Sequence, residues 1–264
     1  MNQYRVLIVG CGAQGVGVGQ EKNPSKIINF AHAITEHEGF NLLGFHDIDK
    51  EKAANAAIAW KTDYWSGYPI NVDVIIIATP DDDHYESLKK ALGRKPKLVI
   101  VEKPICNNLQ QAREIVQLYK AKGIPLCVNY TRNFLPYYED LKQRYKSGEF
   151  GRIVFANVVF NRGWLHSATH AISFLEWFFG GQYNGKIMEC ETDYRIWQMD
   201  LFFEKYHWRE ERIGDQPVWE YYDKSHWYVV DNVYQFLEGK EELKCTGEDG
   251  LRALEICYKL MEGK

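Results

Sequence analysis

The stretch 9-VGCGAQGVGVGQEKNPSKI-27 sets glycines at 10, 12, 15, 17 and 19 directly behind the apolar run 4-YRVLIV-9. Residues 10–15 read G-x-G-x-x-G. In a strand–turn–helix unit that binds a dinucleotide, the first glycine makes the tight turn. The second lets the backbone approach a pyrophosphate, and the third lets helix pack on strand. The free N–H groups and positive dipole end of the next helix then face the phosphates. Gly10, Gly12, Ala13, Gln14 and Gly15 are the residues such a turn would use. An ordinary strand–helix turn can carry the same letters, so the surrounding chain decides.

A second requirement is an acidic residue closing the next strand, to take the ribose hydroxyls. The run 42-LLGFHD-47 supplies Asp47, followed by Ile48. Asp47 lies 37 residues beyond Gly10, longer than the usual interval of roughly 20–30. The excess sits in residues 16–24, which read as an inserted loop, with regular patterning resuming near Ser25. A carboxylate at 47 accepts bonds from a free 2′-hydroxyl and repels a 2′-phosphate, and Ile48, Asp49 and Lys50 bring no arginine. NAD is therefore favoured over NADP.

Beyond the loop, strand and helix patterns alternate. "SKIINFAHAITEHEGF" reads as helix, "NLLGFHD" as strand and "DKEKAANAAIAW" as helix. "VDVIIIAT" is then a strand, "HYESLKKALGR" a helix, "KLVIVEK" a strand, "NLQQAREIVQLYKAKG" a helix and "IPLCVNY" a strand. The runs around Ile75 and Val99 are continuously apolar and β-branched, as in strands covered on both faces. This succession predicts a doubly wound parallel sheet over residues 1–131, the first part of an α/β protein.

The pattern changes near Gly151. "RIVFANVVF" alternates, "ECETDYRIWQMDLFFEKYHW" is a long strand-like run, and six of the eight tryptophans lie from 164 onward. Residues 132–264 read as a smaller, abbreviated α+β domain with a mostly antiparallel sheet. The helix "SHWYVVDNVYQFLEG" stops at Gly239. A last helix, about 246–264, opens with Thr246 and Asp249 at capping-box spacing and can pack back on the first domain. "YHWREERIGD" reads as a solvated strand edge or turn.

The 264 residues carry a formal net charge of −4, which argues against nucleic acid or an anionic membrane as partner. No apolar run approaches the roughly 20 residues that span a bilayer. The first apolar run leads into the glycine loop rather than a cleavage site. Six scattered cysteines without C-x-x-C spacing suit reduced thiols in the cytoplasm, and "DDD" at 81–83 lacks partner ligands, so no metal is expected.

Three motifs together, "GCGAQG", "VIIIATPDDDH" and "KLVIVEKPICNN", resemble the glucose–fructose oxidoreductase / inositol dehydrogenase / MocA (Gfo/Idh/MocA) family of nicotinamide-dependent sugar and polyol oxidoreductases. The family's T-P-N-x-x-H matches Thr79, Pro80 and His84, with Asp81 in place of asparagine, and its E-K-P matches Glu102, Lys103 and Pro104. "VNYTRNFLP", "YKSGEFGRIVFANVVFNRG" and "TGEDGLRALEI" look like its later segments, so the resemblance covers residues 5 to about 180 and about 228 to 264. It implies cofactor contacts from Ala78, Thr79, Pro80, His84, Glu102 and Lys103.

The resemblance also implies that Lys103 points at the reacting substrate carbon, and that the Lys103–Pro104 bond is often cis. Independently of any family, a positive donor stabilises an alkoxide as a C–OH carbon loses hydride. The family's D-x-G-x-H-x-x-D helix matches "HSATHAISFLEWFFGG", with His170 on the histidine and His166, Ala168 and Ser173 replacing the two aspartates and the glycine. His170 is then a candidate acid/base or a hydrogen-bonding substrate ligand.

Tyr130 and Arg132, at the carboxyl edge of the fifth expected strand, can hold substrate hydroxyls or a phosphate, or can be salt-bridged at the surface. Trp164 and His166 can line the same cleft or, for tryptophan, fill a core. The expectation is an NAD(P)-dependent oxidoreductase for a secondary alcohol or ketone of a sugar, cyclitol or nucleotide-linked sugar. It is a homo-oligomer, dimer or tetramer, built on the aromatic sheet face. The alternative is an NAD-binding sensor without turnover, which the two lost aspartates would suit and Lys103 would not.

Overall fold

The computed structural model describes residues 3–17, 25–214 and 220–263. By contact density the chain forms two compact units: Met1–Thr131 with Tyr222–Leu251, and Arg132–Tyr221 with Arg252–Lys264.

Unit 1 is built on a parallel sheet of β1 (Tyr4–Val9), β2 (Phe40–His46), β3 (Asp63–Tyr64), β4 (Val74–Ile77), β5 (Leu98–Glu102) and β6 (Leu126–Asn129). The order is β3-β2-β1-β4-β5-β6. β4 and β5 are buried along their whole length, as their unbroken β-branched runs require. The order reverses at β1/β4, the switch point beyond whose carboxyl ends open α/β sheets bind ligands. Only β3 escapes the sequence pattern; it is two exposed residues long.

The helices of this unit are α1 (Ala13–Val16), α2 (Phe30–Glu36), α3 (Lys50–Trp60), α4 (His84–Leu92) and α5 (Leu109–Lys122). Asp49 caps α3 by accepting the Glu51 N–H, and Asn108 caps α5 by accepting the Gln111 N–H. The helix expected from Ser25 begins only at Phe30, because Asn29 Oδ1 takes the His32 N–H at 2.9 Å and caps it there. Of the expected inserted loop, Val16 closes α1 and Gly17 follows at φ +91°; residues 18–24 lie outside the described residues.

Unit 2 holds α6 (Pro136–Lys146), α7 (Thr169–Phe179) and a sheet of β7 (Ile153–Phe160), β8 (Gly185–Glu189), β9 (Ile196–Phe203) and β10 (His207–Ile213), in the order β10-β9-β7-β8. The β9–β10 and β7–β9 pairings are antiparallel and β7–β8 is parallel. The long strand-like run is thus a hairpin. Its turn at 204–206 has no glycine or proline to mark it. It is held by Glu204 and Lys205 N–H donating to the Arg152 and Phe150 carbonyls at 3.0 Å each. The charged run expected at a solvated edge is β10, in which Trp208 and Glu210 alternate inward and are buried.

The stretch 222–251, expected in the second domain, is counted with unit 1. Its helix α8 (Ser225–Leu237) packs on α2, with the His226 and Phe30 rings 4.7 Å apart and the Tyr234 and His37 rings 4.8 Å apart. Val128 N–H donates to Cys245 O at 3.1 Å, tying β6 to the same return. Local patterning cannot show which sheet a returning helix covers. The final helix, α9 (Gly247–Glu262), opens with the expected box: Thr246 N–H donates to Asp249 Oδ2 at 2.8 Å, and Asp249 N–H returns to Thr246 Oγ1 at 3.2 Å.

Candidate cofactor and substrate sites

In the glycine turn the three glycines do different work. A Cβ on Gly10, which has φ +96°, would lie 2.4 Å from Ala78 O, and one on Gly15 would lie 2.1 Å from Gly10 O. These two serve close packing. A Cβ on Gly12 would meet nothing within 4 Å, so its backbone faces open space, as approach to a phosphate requires. The helix behind the turn is a single turn of four residues, not the long helix of the expectation, with Ala13 and Gln14 exposed.

Asp47 closes β2 beside this turn. Its Oδ2 accepts the Cys11 N–H at 2.8 Å and its Oδ1 the Asp49 N–H at 2.9 Å, leaving acceptor capacity on both oxygens. Ile48, next to it, is 89% exposed. The Cys11 thiol is pushed up to about 12, first by burial and then by the Asp47 charge, so it stays protonated.

The turns after β4 and β5 are joined by one imidazole. His84 is fully buried, its Nδ1 2.7 Å from Pro104 O and its Nε2 3.1 Å from Thr79 O. Both nitrogens face backbone, so this residue, expected among the cofactor contacts, positions the two turns instead. Ala78 is buried and Pro80 exposed. Thr79 Oγ1 is buried and has no hydrogen-bond partner among the described residues.

Lys103 is half-buried, and the Lys103–Pro104 bond is cis. Glu102, its neighbour, turns inward. It is buried, accepts from Asn129 Nδ2 at 2.7 Å, and lies 3.8 Å from His226 Nε2. Burial alone would raise its carboxyl; His226, Asn129 and the Lys103 charge outweigh that and hold it below the ordinary glutamate value. Asn129 and His226 were not expected here. A histidine opening an apolar helix carries no local mark of its partner.

The expected substrate residues, Tyr130 in unit 1 and the others in unit 2, separate. Arg132 is buried, with Nε and Nη2 donating to Glu210 Oε1 at 3.1 and 2.5 Å. Trp197 Nε1 donates to the same oxygen at 2.7 Å, and Tyr138 Oη donates to Glu210 Oε2. The salt-bridged alternative for Arg132 therefore holds, in the interior rather than at the surface. Tyr130 is 1% exposed, and Ser173 is buried with its Oγ accepting from Asn133 at 3.0 Å. Trp164 packs edge-on against Phe160, ring centroids 5.2 Å apart, as core.

His170 keeps partial exposure, its ring 6.4 Å from that of Trp197, and His166 is exposed. A π-turn over Trp164–Ala168 precedes α7, so His166 stands off the regular helical spacing that the sequence pattern assumed. Glu210, which gathers these groups, was read from sequence as solvated.

The family described as "Oxidoreductase family, NAD-binding Rossmann fold" matches residues 4–130. Residues 4–130, just under half of the chain, thus resemble the NAD-binding part of the Gfo/Idh/MocA oxidoreductases. Among related proteins, it is 29% identical to the scyllo-inositol 2-dehydrogenase (NAD(+)) of Bacillus subtilis over 160 residues, 58% of this chain and 43% of that protein. The chain spans less than half the length of the curated relatives it matches.

Solved structures of dehydrogenases share the fold along nearly the whole chain. A myo-inositol dehydrogenase from Corynebacterium glutamicum superposes with a TM-score of 0.78 at 15% identity, over 99% of this chain and 96% of its own. The WlbA dehydrogenase of Bordetella pertussis, in complex with NADH and UDP-GlcNAcA, gives 0.74 at 19% identity, over 96% and 94%.

Proposed function

We propose that this chain is a member of the Gfo/Idh/MocA family and an NAD-dependent dehydrogenase acting on a secondary alcohol or ketone of a sugar, cyclitol or nucleotide-linked sugar. One observation carries the reading. The glycine turn, Asp47, Thr79 and Lys103 follow β1, β2, β4 and β5, neighbouring parallel strands, and so share one edge of one sheet.

The unhindered Gly12 backbone and the unpartnered Thr79 hydroxyl fit the phosphates and nicotinamide side of a dinucleotide, and Asp47 with exposed Ile48 fits its ribose and adenine. Bound NAD would supply the hydride acceptor. Lys103 then donates to the substrate oxygen and stabilises the charge that develops there. His170 exchanges or steadies the hydroxyl proton. Asp47 favours NAD over NADP by repelling a 2′-phosphate.

The outer face of the unit 2 sheet shows Phe155 and Phe202, 38% and 39% exposed, and supports a homo-oligomer; light scattering tests it. The scattered cysteines, without C-x-x-C spacing, suit reduced thiols and a cytoplasmic setting.

The test follows reduced-cofactor absorbance over a panel of inositols, sugars and nucleotide sugars, with NADH and NADPH binding measured by fluorescence. A substrate should emerge, NADH should bind tighter than NADPH, and Lys103→Met should lower turnover by about 10²–10⁴-fold while NADH still binds. Cofactor binding with no turnover across the panel would leave the sensor reading in its place.

A further inference from the structure

Unit 2 gathers positive charge on one corner of its sheet. Trp197 faces inward from β9, and Arg212 stands directly opposite it on β10. Opposed residues of an antiparallel pair share a face. Arg195 precedes Trp197 by two positions, and its carbonyl accepts the Gly214 N–H at 2.7 Å, so the ladder continues and places it on that same face. The Arg132 guanidinium lies 4.4 Å from the Trp197 ring, and the His170 ring is 6.4 Å from it.

Arg162 joins the corner from the end of β7, at φ +73°, a conformation that costs a non-glycine residue. Arg162 and Arg195 line an open cavity of about 840 Å³.

Three carboxylates, Glu189, Glu191 and Asp193, share the cavity lining, but none forms an ion pair with Arg162 or Arg195 among the described residues. Glu210 takes Arg132. Glu189 Oε1 accepts the Gly163 N–H at 2.9 Å. Glu191 and Asp193 are exposed, so water screens their charge. Neither Arg162 nor Arg195 has an ion-pair partner among the described residues. The Arg195 guanidinium is held below its ordinary value, first by burial and then by the charges of Arg212, Arg162 and Arg132. A half-buried guanidinium crowded by like charges is relieved by an anion, and its planar donor fork fits a carboxylate or phosphate.

We infer that unit 2 carries an anion subsite beside His170, in which Arg195 and Arg162 hold a carboxylate or phosphate of the sugar-like substrate. The inference rests on the proposal that His170 belongs to the substrate site. The substrate class narrows from polyols in general to acidic sugars.

The experiment uses the full chain with NADH and measures dissociation constants for three probes, D-glucuronate, D-glucose 6-phosphate and D-glucose, by calorimetry at low and raised salt. At least one charged sugar should bind at least about tenfold tighter than glucose, and only its affinity should fall with salt. Which of the two does so distinguishes carboxylate from phosphate. The double variant R162M/R195M should lose that tenfold preference and leave glucose binding within about twofold, whereas R195K should keep part of it. Melting curves confirm that the variants fold.

Equal binding of glucose, an unchanged preference in the double variant, or no binding of either charged sugar overturns the subsite. Charged sugars held through Arg195 but never oxidised would spare it and remove the dehydrogenase reading. Oxidation of a neutral polyol by the wild type, with neither charged sugar bound tighter than glucose, would do the reverse.

Discussion

Glu102 sits beside Lys103 with almost no water, and its ionised form is held by Asn129, His226 and the Lys103 charge. A carboxyl whose value is lowered on folding contributes stability above its unfolded value, and that contribution fades as pH falls through the folded value. Wild type should therefore melt above Glu102→Gln at neutral pH, and the gap should close as pH drops below about 4.5. Melting temperatures across pH 3–7 check this (an ordinary acid-denaturation series). A gap that stays constant over the range would mean that the carboxylate is not stabilised by its neighbours. Lys103 could be read from E-K-P, but the buried pair behind it could not. His226 arrives from a helix more than a hundred residues later, and no spacing rule links a strand end to a helix start across that distance.

At the scale of the element, the glycine turn separates folding from binding. Gly15→Ala drives a Cβ into the Gly10 carbonyl at 2.1 Å, a backbone atom that cannot rotate away; overpacking of this kind costs about 1–3 kcal/mol. Gly12→Ala meets nothing and sits at φ −86°, which alanine adopts freely. The first variant should lose several degrees of melting temperature. The second should melt like wild type yet bind NADH about tenfold or more weakly, because its methyl takes up the space a phosphate needs.

The parallel strands were legible because continuous β-branched runs have few other uses. β10 is the edge strand expected, but the burial of Glu210 escapes the pattern because a strand that hides one carboxylate among four donors looks as charged as one facing water. Glu210→Ala tests that point. It strands a buried guanidinium, an indole N–H and a phenol, so the loss should approach the roughly 3–5 kcal/mol of a broken buried pair, read from denaturant melts. A change under about 0.5 kcal/mol, usual for surface positions, would return Glu210 to the solvent.

For the whole molecule, the consequential feature is that unit 1 is discontinuous. Its sheet is complete by Asn129, yet residues 222–251 are counted with it. α8 brings Val229, Val230 and Val233, each fully buried, and lays His226 and Tyr234 against Phe30 and His37 of the α2 region. Burial of three valines is worth on the order of 5–9 kcal/mol at about 1.5–3 each. That is comparable with the roughly 5–15 kcal/mol by which a whole domain is stable. Removing residues 222–251 also takes the Cys245 carbonyl from Val128 and the imidazole from Glu102.

A fragment of residues 1–131, although it contains every motif of the cofactor reading, should accordingly show no cooperative melting transition and no NADH binding. Joining residue 131 to residue 222 through a short flexible linker should restore both. The measurements are calorimetric melting and quenching of tryptophan fluorescence by NADH. If the bare fragment melts cooperatively and binds, the returning helix is an ornament of unit 1 rather than part of its core.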